Sequence, residues 1–262
     1  MGNSLKISVL LSCMALAACS SSPTGRNQLI LFSDQDMSSL GDQSFEQMKK
    51  EIPINNDAKT NAYVQCVAKT VTDYVPKQPS FDRWEVVVFE SDQVNAFALP
   101  GGKIGVYTGL LKVATNQDQL ATVIGHEVAH VLANHSNERL SQSQIANAGL
   151  QITQVAIGAS EYAQYKEATM AALGVGVQYG VILPYGRTQE SEADIVGLEL
   201  MAKAGFNPKE SVSLWQNMAK ASGGSQPPEL LSTHPSHSTR IHDLEEKIKT
   251  LPASSATRPK CR

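Results

Sequence analysis

No stretch of this 262-residue sequence is both long and apolar enough to read as a membrane span. The two nearest candidates fail differently: Ile7 to Leu16 is too short, and Ala168 to Leu183 is interrupted by Gln178 and Tyr179. No block of Lys or Arg stands out, and a net charge of −3 is mild, so nucleic acid is excluded as a partner. Four cysteines are too few for a disulfide-built scaffold. Gly174-x-Gly176 lacks the strand, spacing and acid of a dinucleotide site, and reads as close helix packing. What remains, with 42% hydrophobic residues, has enough apolar material for a proper core, in one globular domain with a short appendage or in two small lobes.

The most informative stretch is V-I-G-H-E-V-A-H-V-L-A-N-H, Val123 to His135. It contains H-E-x-x-H as His126, Glu127 and His130. Helical positions four apart lie nearly above one another, so the two imidazoles can face one metal ion. Zinc suits neutral imidazole and leaves room for a third ligand and a water. Glu127, rotated by about 100° on a 3.6-residue helix, can reach that water without being a ligand, as a general base must. The flanks Val123, Ile124, Val128, Val131 and Leu132 are apolar, which buries the helix. A metzincin would continue to a glycine and a third histidine, where this chain has Ala133 and Ser136. His135 falls one residue short and on another face, so it reads as a non-ligand.

Two histidines need a third protein ligand, and a carboxylate from a second helix is a frequent choice. Glu190, Glu192, Asp194 and Glu199 qualify by type. Glu190 and Asp194 share a face at i, i+4, with Glu192 roughly opposite. One of that pair would bind zinc and the other would orient a ligand histidine through its free N–H.

The N-terminus reads as a targeting signal. Lys6, a short apolar run and Leu16-Ala17-Ala18-Cys19 resemble a bacterial lipobox, with residues 1–18 as signal peptide and Cys19 as the lipidated residue; the alternative is an ordinary secretory signal cut at an A-x-A-like site. Ser20 and Ser21, in place of Asp, favour the outer membrane over the inner one. Residues 19–28 read as a tether, 29–250 as the folded domain and 251–262 as a disordered tail. With Cys13 in the signal, Cys66 and Cys261 remain. An oxidising periplasm would join them, or Cys66 stays buried and Cys261 free.

Ser33 and Asp57 read as N-caps of two helices, the second presenting Tyr63, Val67, Val71 and Tyr74 to the core. Trp84 to Glu90 reads as a strand, and Asn95 to Tyr107 as strand, turn, strand around Pro100-Gly101-Gly102. Such a hairpin edge can bind a substrate main chain as an added strand. Helices follow over 117–134, up to Met201, over 208–220 and from about Ser238.

With H-E-V-A-H, E-S-E-A-D (190–194) and T-H-P-x-x-x-x-R-I (233–241) in hand, the chain resembles the M48 family of zinc metallopeptidases, in its bacterial periplasmic lipoprotein and Oma1-like branch. The resemblance runs from about Gly25 to Leu244. It implies an α+β, mainly helical, zincin-like fold with a small antiparallel β-sheet beside the histidine helix. It also implies one Zn2+ held by His126, His130 and Glu190, with Glu127 as catalytic base and Asp194 just outside the ligand set. His234 would polarise the peptide carbonyl or cap the zinc, unless it only caps the helix that follows. Arg240 would pair with a carboxylate. The expected activity is endopeptidase action on unfolded or misassembled envelope proteins at the periplasmic face of the outer membrane. The competing reading is a chaperone-like assembly factor with mainly structural zinc. Oligomeric state stays open.

Overall fold

The computed structural model describes residues 19–160, 163–177, 183–221 and 237–262. The segment expected to be a tether is instead folded. β1 (Cys19–Ser21) pairs antiparallel with β2 (Asn27–Leu29), in register Cys19 to Leu29 and Ser21 to Asn27. Ser22 and Gln28 are buried, and Gln28 donates to the Ala133 carbonyl at 2.6 Å. The reason is ionic: Arg26 finds two buried carboxylates, Glu138 and Glu192, more than a hundred residues away in sequence.

α1 (Asp34–Glu51) opens with a capping box, Ser33 and Asp36 each satisfying the other's backbone N–H. α2 (Ala58–Thr72) is capped by Asp57. Val67 and Val71 are in its core face, Tyr63 is partly buried, and Tyr74, expected inside, is 45% exposed. The chain has already left the helix there, so helical spacing no longer aims that side chain inward.

Three strands follow: β3 (Glu85–Phe89), β4 (Ala96–Leu99) and β5 (Lys103–Tyr107), in the order β3-β5-β4. β4 and β5 form the expected antiparallel hairpin, whose turn needs positive φ at Gly101 and Gly102. β3 pairs parallel with β5, so the sheet is mixed rather than wholly antiparallel. Its side chains alternate as a pleat requires. Val88, Ala96, Ala98, Ile104 and Val106 face α2 and the histidine helix in the main core. Phe89, Phe97 and Tyr107 meet Phe45 of α1 on the other face, with ring centroids about 6 Å apart.

A short α3 (Thr108–Leu111) leads to α4 (Gln117–Leu132), the histidine helix, capped by Asn116. Asn134, at φ 52°, breaks the path and starts α5 (His135–Gly158). A 3-10 turn, α6 (Lys166–Val177), α7 (Leu183–Lys203), α8 (Glu210–Ala221) and α9 (His237–Thr250) complete the described helices. None of them is long and apolar enough to cross a membrane. Leu214 and Trp215 of α8 are buried and Met218 packs beside them.

The C-terminal residues expected to be disordered run back over the core without regular structure. Cys66 and Cys261 are joined, 5.6 Å between Cα atoms. Arg258 meets Asp118 at 2.7 Å, and the Cys261 N–H donates to Gln117 at 2.9 Å. A covalent link and polar contacts to the first turn of α4 hold a segment that has no apolar periodicity of its own.

Candidate metal centre

α4 and α7 cross with their backbones almost touching. A Cβ on Gly125 would stand 2.7 Å from the Gly197 carbonyl oxygen, and one on Gly197 would stand 2.6 Å from the His126 nitrogen. Any side chain there would push the helices apart. The helices run in opposite senses, with Met201 against Thr122 at one end and Glu190 against His130 at the other. α7 therefore delivers two acids to the two imidazoles of α4.

His126 Nε2 lies 3.1 Å from His130 Nε2 and 3.1 Å from Glu190 Oε2, and His130 Nε2 lies 3.4 Å from Glu190 Oε1. All three side chains are buried. Two donors on one tetrahedral zinc, with bonds of about 2.0–2.2 Å, stand roughly 3.3–3.6 Å apart. The donor set and its spacing therefore fit zinc. Among the described residues this is the one such group of three. Glu127 projects from the same helix, half-buried, and makes no hydrogen bond with another described residue.

Asp194 approaches the far nitrogen of His126, 3.0 Å from Nδ1, as an ion pair rather than an aligned hydrogen bond. Arg240 bridges the two acids, donating from Nε to Asp194 at 2.6 Å and from Nη2 to Glu190 at 2.9 Å. Its guanidinium lies 3.8 Å from the Trp215 ring centroid. Burial and Arg240 press the His126 pKa down, but the carboxylates of Asp194 and Glu190 outweigh them and carry it up to about 9. Burial alone would raise Asp194, yet Arg240 and His126 hold it below the usual carboxylate range.

His130 is served by residues that sequence reasoning passed over. His135, fully buried, places Nδ1 2.8 Å from His130 Nδ1 and Nε2 3.1 Å from Glu192 Oε2. Burial, then the neighbouring His130, push His135 down to about 4. Glu192 is held down at about 2: burial opposes this, and bonds from Ser22, Thr24, His135 and Arg26 overcome it. Glu192, expected opposite the site, faces the N-terminal hairpin. Glu199 pairs with Lys247 at the surface. Arg187 sits one turn before Glu190 on α7. His234 lies outside the described residues, as do residues 1–18, and nothing is described of the Cys19 side chain. One signal pointed towards the crossing: a glycine inside a helix costs about 1 kcal/mol against alanine, so Gly125 beside His126 asked for a packing reason.

The profile of peptidase family M48 matches residues 58–248. The chain belongs to peptidase family M48. It is 32% identical over 239 residues to the bovine mitochondrial metalloendopeptidase OMA1, covering 86% of this chain and 45% of that one. It is 34% identical over 165 residues to the mitochondrial metalloendopeptidase OMA1 of Schizosaccharomyces pombe, covering 63% and 46%. With the beta-barrel assembly-enhancing protease of Escherichia coli K12 it shares 28% over 220 residues, covering 81% and 44%. The chain thus spans about half the length of the relatives it matches. The M48 match includes both histidines, Glu127, Glu190, Asp194 and Arg240.

Proposed function

We propose that this M48 chain is a zinc-dependent endopeptidase, with one Zn2+ held by His126, His130 and Glu190. The observation that carries the reading is the convergence of those three donors within 3.1–3.4 Å beside an uncommitted Glu127. A zinc ion there supplies Lewis acidity, polarising a carbonyl and bringing a water's pKa towards about 7. Glu127 accepts the proton of the attacking water and passes it to the leaving amide nitrogen. Asp194 and Arg240 fix His126 and Glu190, so the site does not reorganise as charge develops. β4 is an edge strand packed beside α4, and it takes the substrate main chain as an added strand. A cleft next to it is lined by Met37, Phe81, Gly101, His130 and Asn137. In this reading His234 assists the carbonyl or caps the ion.

Substrates in this reading are unfolded or misassembled envelope proteins, met at the periplasmic face of the outer membrane by a chain anchored through Cys19. The name of the E. coli relative, a beta-barrel assembly-enhancing protease, supports that setting. The test is metal analysis with casein digestion by wild type and Glu127→Gln, with and without chelator. The expected result is one zinc per chain in both proteins and cleavage only by zinc-loaded wild type. Undiminished cleavage by Glu127→Gln would refute the base. A zinc-bearing chain that binds clients but never cuts them would favour the assembly-factor reading, which has no use for Glu127.

A further inference from the structure

We propose that His135, Glu192 and Arg26 form a positioning relay that sets the tautomer and orientation of His130, making the N-terminal hairpin part of the metal centre. The inference rests on the metal reading above and extends it to residues that touch neither metal nor substrate.

The argument is one of donors and acceptors. A ligand nitrogen must be unprotonated, so His130, facing Glu190 and His126 through Nε2, carries its proton on Nδ1. The group 2.8 Å from that Nδ1 is His135 Nδ1, which must therefore accept. His135 then carries its own proton on Nε2 and donates it to Glu192 Oε2 at 3.1 Å. Glu192 is buried and can only accept. Its Oε2 also takes Arg26 Nε at 3.1 Å and Nη2 at 3.0 Å, and its Oε1 takes the Thr24 hydroxyl at 2.6 Å. Arg26 spends its remaining reach on Glu138, at 2.6 and 2.8 Å. Each proton in the chain has one direction, and reversing any bond leaves a buried group unmet.

A ligand histidine ordinarily leans on a carboxylate, a carbonyl or water. His126 does so with Asp194. His130 leans on a second imidazole, and the carboxylate stands one step further back. Geometry requires the extra link. Glu192 projects away from Glu190 and, among the described residues, reaches the ligands through His135, which the left-handed Asn134 turns back towards His130. Because Arg26 and Thr24 hold Glu192, hairpin docking and metal binding strengthen each other by the same factor.

The test uses the full chain, stripped of metal and reloaded. Zinc affinity is read by competition with a chromogenic chelator, and ligand geometry by the visible absorption of the cobalt-substituted protein. His135→Leu, which removes the acceptor, should weaken zinc about 10- to 100-fold and alter the cobalt spectrum. His135→Asn places an amide oxygen where Nδ1 stood and should restore affinity to within about threefold. His135→Gln reaches Glu192 but not His130 and should resemble His135→Leu. That polar pair decides the matter if the leucine variant does not fold. Equal zinc affinities and cobalt spectra for Asn and Gln, or wild-type values for a folded His135→Leu, would overturn the relay. Wild type that takes up no zinc would overturn the metal reading beneath it, and the relay too.

Discussion

Gly125 and Gly197 lie backbone to backbone, with a Cβ on the second reaching within 2.6 Å of the His126 nitrogen. This contact, made by backbone alone, sets how far Glu190 stands from the imidazoles. Gly197→Ala should force α4 and α7 apart, destabilising by about 1–3 kcal/mol as overpacking does. It should also cost zinc out of proportion, because ligand distances tolerate only about 0.2 Å. Thermal melts and metal content measured side by side check this. A stable variant with full zinc would show that the helices can slide without losing the site.

Arg240 joins Glu190 to Asp194 through two different nitrogens. Arg240→Met leaves both buried acids without their cation and should destabilise the metal-free chain by about 3–5 kcal/mol in urea unfolding. Arg240→Lys should recover little, since one ammonium cannot present the same fork to two carboxylates. A lysine variant as stable as wild type would mean that charge alone matters there.

The Arg26 cluster makes the fold acid-sensitive, with a sign that can be worked out. Glu192, held at about 2 against an ordinary 4.5, and Glu138, also held low, bind protons more readily when unfolded. Their contribution is complete above about pH 4.5 and is lost as pH falls towards 2. His135, held at about 4 against 6.5, is likewise destabilised by acid, but between pH 6.5 and 4. The unfolding midpoint of the metal-free chain should therefore decline in two stages below pH 6.5. Glu138→Gln should flatten the lower stage, and an unchanged slope would remove Glu138 from the account.

The Cys66–Cys261 bond closes a loop of 195 residues. By chain entropy such a link stabilises by up to about 5 kcal/mol. Reduction, or replacing both cysteines by serine, should lower the melting temperature and free the tail from Asp118 and Gln117. Proteolysis near Arg258 reports the release directly. Resistance to trypsin after reduction would show that the polar contacts suffice.

Much of this could be seen in the chain beforehand, and particular residues show where that stopped. Ser33 and Asp57 cap the expected helices because a cap is settled within four residues. The Gly101-Gly102 turn fixes its hairpin equally locally. The parallel pairing of β3 with β5 was not legible, because strand content does not state which partner a strand will find. His135 stands outside the three-donor group, as expected, but carrying the helical rotation past Asn134 gave it the wrong face. Five steps of about 100° would carry it well away from His130. The αL residue cancels that rotation.

By itself the sequence determined the chemistry on offer: two imidazoles and a carboxylate at helical spacing, an acidic pair four apart, and a family signature. Those depend on residue type and on the helix period, both local properties. Tertiary structure alone decided that Gly197 lets the acids reach the imidazoles, that Arg26 turns a polar leader into a docked hairpin, and that His135 faces inward. The first two depend on contacts between residues far apart along the chain, whose distances no local rule supplies, and the third on a left-handed turn at Asn134 that helical periodicity does not announce.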